Sequence, residues 1–524
     1  MTKPQLIIPM SGLGKRFMAA GFNLPKPLIP IFGEPMIAHV LRMYDGWDDV
    51  IFVVNRNHLH DSGLHLEEKL LNLCPQGRIV EIGSHNFGPS YAVLKAQEYI
   101  ALDKPVVVNY CDFAGEFDLD KYEFELRNQD ATLLTYTGFH PHMLRSTQFA
   151  YIQKNKLGEV TDIQEKKSFT STPMSEEASA GSYGFKSGEK LIEAIKEQIK
   201  NDRSLNGEFY TSLTIKSVLE GQGKVSSVLM QSFYQWGTPK DFADFNYWTN
   251  SINNLNQKTS DGVKFGEQST VILAAGKGER VASLASVPKP AIPVLGKQLW
   301  EMASRAANTN AEAVLVVRTE TFPFLNSSRA IKTVVLDSLT RGQADSARIG
   351  LESFNTSENL QVNILSCDNI LPNNFSGVVQ KLMKTNNLEI VVWVARDYPP
   401  ASLSPAQFSW VKIDLSRVVE VLYKSPPPIN NDDWSVISGN FSFSTKGIAV
   451  KLITELLSDE DAKINGEFYL DSIISIALRN GITIGALEIP DYFSLGTIDE
   501  LQTFNYWSKV LKTNFPALEK TSHD

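Results

Sequence analysis

Apolar residues along this chain fall in short unbroken runs separated by amphipathic stretches. QLIIPM (Gln5–Met10), DVIFVVN (Asp49–Asn55), PVVVNYCD (Pro105–Asp112) and ATLLTYTG (Ala131–Gly138) are four such runs. Their continuity, without in–out alternation, predicts strands covered on both faces of a mainly parallel sheet. Between the first two, Met36, Ile37, Val40, Leu41 and Tyr44 recur at helical spacing. The pattern then starts again with STVILAA (Ser269–Ala275), EAVLVVR (Glu312–Arg318), QVNILSCD (Gln361–Asp368) and EIVVWVAR (Glu389–Arg396). It predicts α/β architecture twice over, each sheet flanked by helices.

Identical words recur as well as patterns. NGEFY at Asn206–Tyr210 returns at Asn465–Tyr469, and FNYW at Phe245–Trp248 returns at Phe504–Trp507, both 259 residues later. WGTPKDF (Trp236–Phe242) meets LGTIDEL (Leu495–Leu501) at the same offset. Near the start of each half, SGLGKRF (Ser11–Phe17) pairs with AGKGERV (Ala275–Val281), and LPKPLIPIFGEP (Leu24–Pro35) with VPKPAIPVLGKQ (Val287–Gln298). The order is kept and the spacing nearly so, which makes the chain a tandem duplication. A polar, Asn/Ser/Gly-rich stretch marks the join. The boundaries are domain 1 over residues 1–250, a linker over 251–268, domain 2 over 269–512 and a tail over 513–524.

Composition narrows the partners. The 524 residues carry a formal charge of −9 without a Lys/Arg cluster, which argues against a nucleic-acid polyanion and leaves anionic small molecules open. No apolar stretch approaches a membrane span, and the opening run is too short for a signal peptide. Cys74, Cys111 and Cys367 show no CxxC spacing, as suits a reducing cytoplasm. The histidine pairs His58/His60 and His140/His142 read as loop residues rather than metal ligands, since no cysteine accompanies them.

The candidate chemistry begins in the turn after the first strand. Gly12, Gly14 and Arg16 recur as Gly276, Gly278 and Arg280. Bare backbone N–H groups in such a turn approach oxyanions closely. A dinucleotide fingerprint is excluded because Phe17 and Val281 stand where its third glycine belongs, and no GxxxxGK[ST] occurs in either half. Each turn is followed by Pro-Lys-Pro, carrying Lys26 or Lys289. An arginine clamp plus a lysine point charge is what a triphosphate requires. Asp112 and Asp368 then close buried strands, where α/β sheets open onto their ligands, and a carboxylate beside a triphosphate is a natural magnesium ligand.

Taken together these motifs resemble the nucleotidylyltransferase (NTP-transferase) superfamily that activates sugar phosphates and related phosphate monoesters. The opening segment is similar to a bacterial subgroup found with capsule and surface-polysaccharide precursors. The resemblance implies two tandem Rossmann-like domains of GT-A-like type, Mg²⁺ as cofactor, and a nucleoside triphosphate and a phosphorylated small molecule as ligands. It gives Gly12, Gly14 and Arg16 the β- and γ-phosphates, Lys26 the α-phosphate, Gly88 and Ser90 the base, and Asp112 the metal. Glu165, Lys166, Gly181 and Glu208 fall on the acceptor side. The second-half counterparts are Gly276, Gly278, Arg280, Lys289, Gly342, Ser346, Asp368, Lys424, Gly439 and Glu467.

Two departures matter. The second metal-binding aspartate that many family members carry before the late Gly-Thr pair is Gln235 in one half and Ser494 in the other. In the second half Tyr423 replaces the glutamate that precedes the acceptor lysine. Four readings follow: two nucleotidyl transfers to different acceptors, one active half with a regulatory copy, a nucleotide-binding sensor, or a GT-A glycosyltransferase. The last would want a D-x-D on a strand end, and the one DLD, Asp118–Asp120, reads as a loop. Neither base nor acceptor is legible, and an oligomer is compatible with the sequence.

Overall fold

The structure is a computed structural model that describes residues 2–256, 267–283, 286–307, 312–326, 331–428 and 433–515. The chain divides into two compact units, Met1–Asn246 with Val510–Asn514, and Tyr247–Lys509 with Phe515–Asp524. The first boundary therefore falls inside the helix Pro239–Asn256.

The first unit holds a nine-stranded sheet. Its strands are β1 (Gln5–Met10), β2 (Val50–Asn55), β3 (Arg78–Ile82), β4 (Val106–Asn109), β5 (Ala131–Tyr136), β6 (Ala150–Lys154), β7 (Val160–Glu165), β8 (Glu177–Phe185) and β9 (Val225–Leu229). β1 lies between β2 and β4 in parallel register, and β3 continues the parallel edge beyond β2. Every residue of β2, β4 and β5 is buried, as their unbroken apolar runs require.

β8 changes the character of the sheet. It runs antiparallel to β4, β5 and β6, so the sheet is mixed rather than mainly parallel. Its pairing with β5 slips between Ser179 and Tyr183, and Gly181, at φ +107°, sits in the slip. A slip of this kind is a β-bulge, which leaves residues unpaired and locally increases strand twist. The helix Gly188–Lys200 follows, capped by the Ser187 hydroxyl accepting from the Lys190 N–H at 3.2 Å. Its Leu191 and Ile195 are fully enclosed against the sheet, each worth about 1.5–3 kcal/mol of transfer free energy.

The second unit repeats this order with β10 (Gln268–Ala274), β11 (Ala313–Arg318), β12 (Lys332–Leu336), β13 (Gln361–Ser366), β14 (Ile390–Ala395), β15 (Trp410–Asp414), β16 (Arg417–Leu422), β17 (Trp434–Phe443) and β18 (Ile484–Glu488). Here the plain open sheet expected from the sequence is corrected. β17 pairs with both β14 and β15, and β14–β18–β16–β15 completes a ring, so one end of the sheet closes into a small barrel. Closure runs through one residue pair, Arg417 opposite Gly485. Gly485 has no room for a side chain, since a Cβ would stand 2.4 Å from Leu388 Cδ1. In the first unit β7 pairs only with β6 and β9 only with β5, so no ring forms.

Candidate active site

Asp112 lies not on β4 but in the bend just past it, where the Trp236 N–H donates to its carbonyl at 2.7 Å. The bend leads into Phe113–Glu116, which pairs antiparallel with Ser232–Gln235 and brings the Gly237-Thr238 turn alongside. Lys26 opens the short 3-10 turn Lys26–Leu28, held by the prolines on either side. Its ammonium forms an ion pair with the Asp112 carboxylate and donates to the Gly237 carbonyl at 2.9 Å. Three segments distant in sequence thus meet at one lysine.

The second unit repeats the pair, with Lys289 on Asp368. Ser366 Oγ donates to the same carboxylate. Burial would raise the Asp368 pKa, but the Lys289 charge and hydrogen bond outweigh it and hold the carboxyl at about 2.

The repeated NGEFY word resolves into a turn and a latch. Asn206 and Gly207 both have positive φ, 55° and 78°, between reciprocal Leu205–Glu208 backbone hydrogen bonds of 3.0 and 3.1 Å. That is a type I′ hairpin turn, for which Asn-Gly is the preferred pair. Asn465 and Gly466, at 52° and 82°, form the same turn between Ile464 and Glu467. The next residue, Phe209, docks by its backbone onto the Gly88 loop. Its N–H donates to the Phe87 carbonyl at 2.8 Å, and its carbonyl accepts from the Ser90 N–H at 3.0 Å. Phe468 does the same between Arg341 and Ala344, at 3.0 Å each. Gly88 and Gly342 are obligatory there, because a Cβ would lie 2.7 and 2.5 Å from the Phe209 and Phe468 nitrogens.

Around these parts the first unit encloses a cavity of about 650 Å³. Gly12, Gly14, Arg16, Lys26, Gly88, Asp112, Glu165, Lys166, Gly181 and Glu208 all line it. Ser90 does not reach it: its side chain is fully enclosed behind the loop. Arg16 is exposed at the cavity mouth. Two residues outside every quoted motif, His85 and Arg145, also line it, together with Tyr110, Tyr210 and Asp241, which lie in quoted words but were given no role there. Asp241 accepts from Thr238 Oγ1 at 2.6 Å and from the Thr238 N–H at 3.1 Å, capping the first turn of its helix, and Arg145 lies 3.4 Å away.

Elsewhere in the lining Glu165 accepts from Ser212 Oγ at 2.5 Å. Burial pushes its carboxyl pKa up, against that hydrogen bond and the Lys166 charge. Lys166 has a left-handed backbone, φ 55°, and its ammonium donates to Tyr210 Oη at 2.8 Å. Lys424 shares the conformation, φ 47°, and lies over the ring of Tyr469, the counterpart of Tyr210. Tyr423 Oη pairs instead with Ser475 Oγ at 2.7 Å. A buried carboxylate, Asp471, stands in the second repeat where Ser212 stands in the first, with its pKa raised by burial and opposed by the Lys424 charge. The wall beside the bulge glycine differs too: Phe113 and Tyr110 approach Gly181, whereas Asn369 and Ser366 approach Gly439. Gly276 and Gly278 lead into the turn Glu279–Val281 that carries the exposed Arg280. Ser346 is buried against Thr340 Oγ1 at 2.8 Å, and Glu467 is exposed.

The histidine pairs take other roles. His60 meets Glu81 at 2.8 Å. His142 stands in the 3-10 turn Pro141–Leu144, half-buried against Tyr136 Oη at 3.0 Å, its pKa lowered to about 3 by desolvation and by Arg145. As for a metal, no group of three or more His, Cys, Asp or Glu gathers among the described residues. The donor set nonetheless fits a phosphate-associated divalent cation, which takes one or two carboxylates and completes its shell with phosphate oxygens and water. Asp112 and Asp368 are placed for that, while Gln235 is committed to the Gly237 N–H at 2.6 Å.

A glycine turn, a lysine–aspartate pair and a separate carboxylate–lysine pair gather past the ends of β1 and β4, an arrangement chemically able to receive phosphorylated ligands. The nucleotidyl transferase family model matches residues 6–251 and again 269–459, so the chain belongs to that family of enzymes and carries its domain twice. Among curated proteins the chain is similar to the bifunctional protein GlmU of Methanocaldococcus jannaschii, 25% identical over 255 residues, covering 47% of this chain and 55% of the relative. GlmU of Campylobacter curvus is 26% identical over 220 residues, covering 41% and 46%. The chain thus spans about half the length of the curated relatives it matches. Among solved structures it is similar to a nucleoside-diphosphate-sugar pyrophosphorylase from Vibrio cholerae (19% identity, TM-score 0.39, covering 46% of this chain and 98% of that one). An inositol-1-phosphate CTP transferase from T. maritima gives 17% identity, TM-score 0.35 and coverage of 48% and 99%. Among the described residues no helix is long and apolar enough to cross a membrane.

Proposed function

We propose that the first unit transfers a nucleoside monophosphate from a nucleoside triphosphate to a phosphate monoester, releasing pyrophosphate, to make an activated precursor of the kind used for surface polysaccharide. The observation that carries this reading is the convergence on one cavity of the Gly12–Arg16 turn, the Lys26–Asp112 pair and the Glu165/Lys166 end. The acceptor phosphate is mostly dianionic at neutral pH, with a second pKa of ~6, so it attacks the α-phosphorus without a general base. Arg16 and Lys26 neutralise the triphosphate and hold it in line, so rate comes from positioning and charge. A divalent cation, Mg²⁺, held by Asp112 together with phosphate oxygens supplies further neutralisation when bound. Glu165, Lys166 and Glu208 orient the acceptor.

The second unit keeps the Lys289–Asp368 pair and the Gly342–Phe468 latch while altering its acceptor end. This supports either a second transfer to a different acceptor or a nucleotide-binding copy that regulates the first. Pyrophosphate release, measured across nucleoside triphosphates and phosphate monoesters for Asp112→Asn and Asp368→Asn separately, decides. Loss of one acceptor activity in each variant supports two transferases. Loss of all turnover in Asp112→Asn alone assigns catalysis to the first unit. Undiminished turnover in Asp112→Asn would sink the assignment of the first unit.

A further inference from the structure

His85 lines the first unit's cavity three residues before Gly88, and the transfer reaction leaves it without a task. Its two ring nitrogens are not equivalent. Nδ1 accepts from the Phe87 N–H at 3.2 Å. A nitrogen that accepts carries no proton, so in the neutral ring the hydrogen resides on Nε2. Burial and the nearby Lys95 charge lower the imidazole pKa, which keeps that neutral form in place.

Nε2 faces Ser11 Oγ, at the start of the glycine turn, at 3.3 Å. That is longer than a typical N–H···O bond, so the donor is only loosely engaged. The ring is meanwhile held: Tyr91 packs against it with centroids 5.0 Å apart, and Phe87 lies nearly parallel to it at 6.5 Å. The result is a fixed imidazole presenting one N–H donor between the glycine turn and the Gly88 loop. The second unit lacks the device. Leu339 occupies the position three residues before Gly342, and Arg341 replaces Phe87.

We propose that His85 is the base-reading residue of the first unit: its Nε2–H donates to an acceptor on the base edge, a carbonyl oxygen or ring nitrogen, in exchange for Ser11. The second unit, with Leu339, then discriminates less among bases. This rests on the reading that the cavity holds a nucleoside triphosphate with its base beside Gly88.

The test uses the full chain with Arg280→Ala and Lys289→Ala to disable the second triphosphate turn. Calorimetric titration with ATP, GTP, CTP, UTP and inorganic tripolyphosphate gives the base preference of the first unit and its affinity for phosphates alone. Introducing His85→Leu is expected to reduce the ratio between best and worst base by about five- to tenfold, the worth of one hydrogen bond. Affinity for tripolyphosphate should stay unchanged, and His85→Gln, which keeps a donor, should retain part of the preference. An unchanged ratio overturns the proposal. So does an equal loss for tripolyphosphate, which would mean that the ring merely props the loop. Nucleotide binding without any base preference in the parent chain overturns this inference alone. No nucleotide binding at all overturns the reading of the cavity beneath it.

Discussion

Gly88→Ala is the most direct probe of how the NGEFY hairpin and the Gly88 loop depend on each other. The added Cβ would lie 2.7 Å from the Phe209 nitrogen and 2.8 Å from its carbonyl oxygen. Both are backbone atoms, so no rotamer change relieves the contact. Gly88 also sits at φ 87°, ψ 177°, a region open to glycine and costing about 1–3 kcal/mol for other residues. Backing the hairpin away forfeits the hydrogen bonds from Phe209 to Phe87 and from Ser90 to Phe209, each worth ~1 kcal/mol net. The sum, about 3–5 kcal/mol, corresponds to roughly two to three and a half powers of ten in the local opening equilibrium. Amide hydrogen exchange at Phe209 and Ser90 reads that equilibrium directly. Gly12→Ala is the control, because its Cβ would meet nothing within 4 Å. If Gly88→Ala protects these two amides as well as Gly12→Ala does, the hairpin is not latched through this glycine and the reasoning fails.

Two further outcomes follow from the geometry. Asp368 has a folded-state pKa of about 2, below the ordinary 3.8, so its pairing with Lys289 stabilises the fold above about pH 4 and is lost as pH falls through 2. The full effect is about 2 kcal/mol, with about 1 kcal/mol gone by pH 3; urea midpoints at pH 5 and pH 3 should therefore separate less in Asp368→Asn than in the parent chain. Asn206→Val places a β-branched residue at φ 55° in the type I′ turn and should cost about 1–2 kcal/mol by thermal unfolding, whereas Asn206→Asp should cost under about 1 kcal/mol.

Much of this was legible in the sequence because it rests on local rules. The apolar runs gave β1, β2, β4 and β5 directly, since a strand buried on both faces leaves no alternation to misread. Periodicity did not distinguish a strand from the bend beyond it, so Asp112 and Asp368 seemed to be strand residues when each stands one turn later. Nor could it foresee ring closure in the second unit, which hangs on the pairing of Arg417 with Gly485. Ser90 matched by position alone; it stands in the first turn of the helix Pro89–Lys95 with its side chain fully enclosed. NGEFY was read through its glutamate, although Asn-Gly is itself a turn signal and explains the repeated word better. His85 carried no signal, because its role depends on a ring nitrogen's partner.

The lysine–aspartate pair at the head of each repeat has a consequence for ligand order. In the free protein each charge already has its counter-ion, so neither an anion alone nor a cation alone finds a vacant partner. An anion that draws Lys26 away exposes Asp112, and a cation that takes Asp112 releases Lys26. Each ligand therefore lowers the free energy of binding the other, and by reciprocity the coupling is equal in both directions. A polyphosphate and a metal ion would thus load cooperatively at such a pair, each binding more tightly once the other is in place.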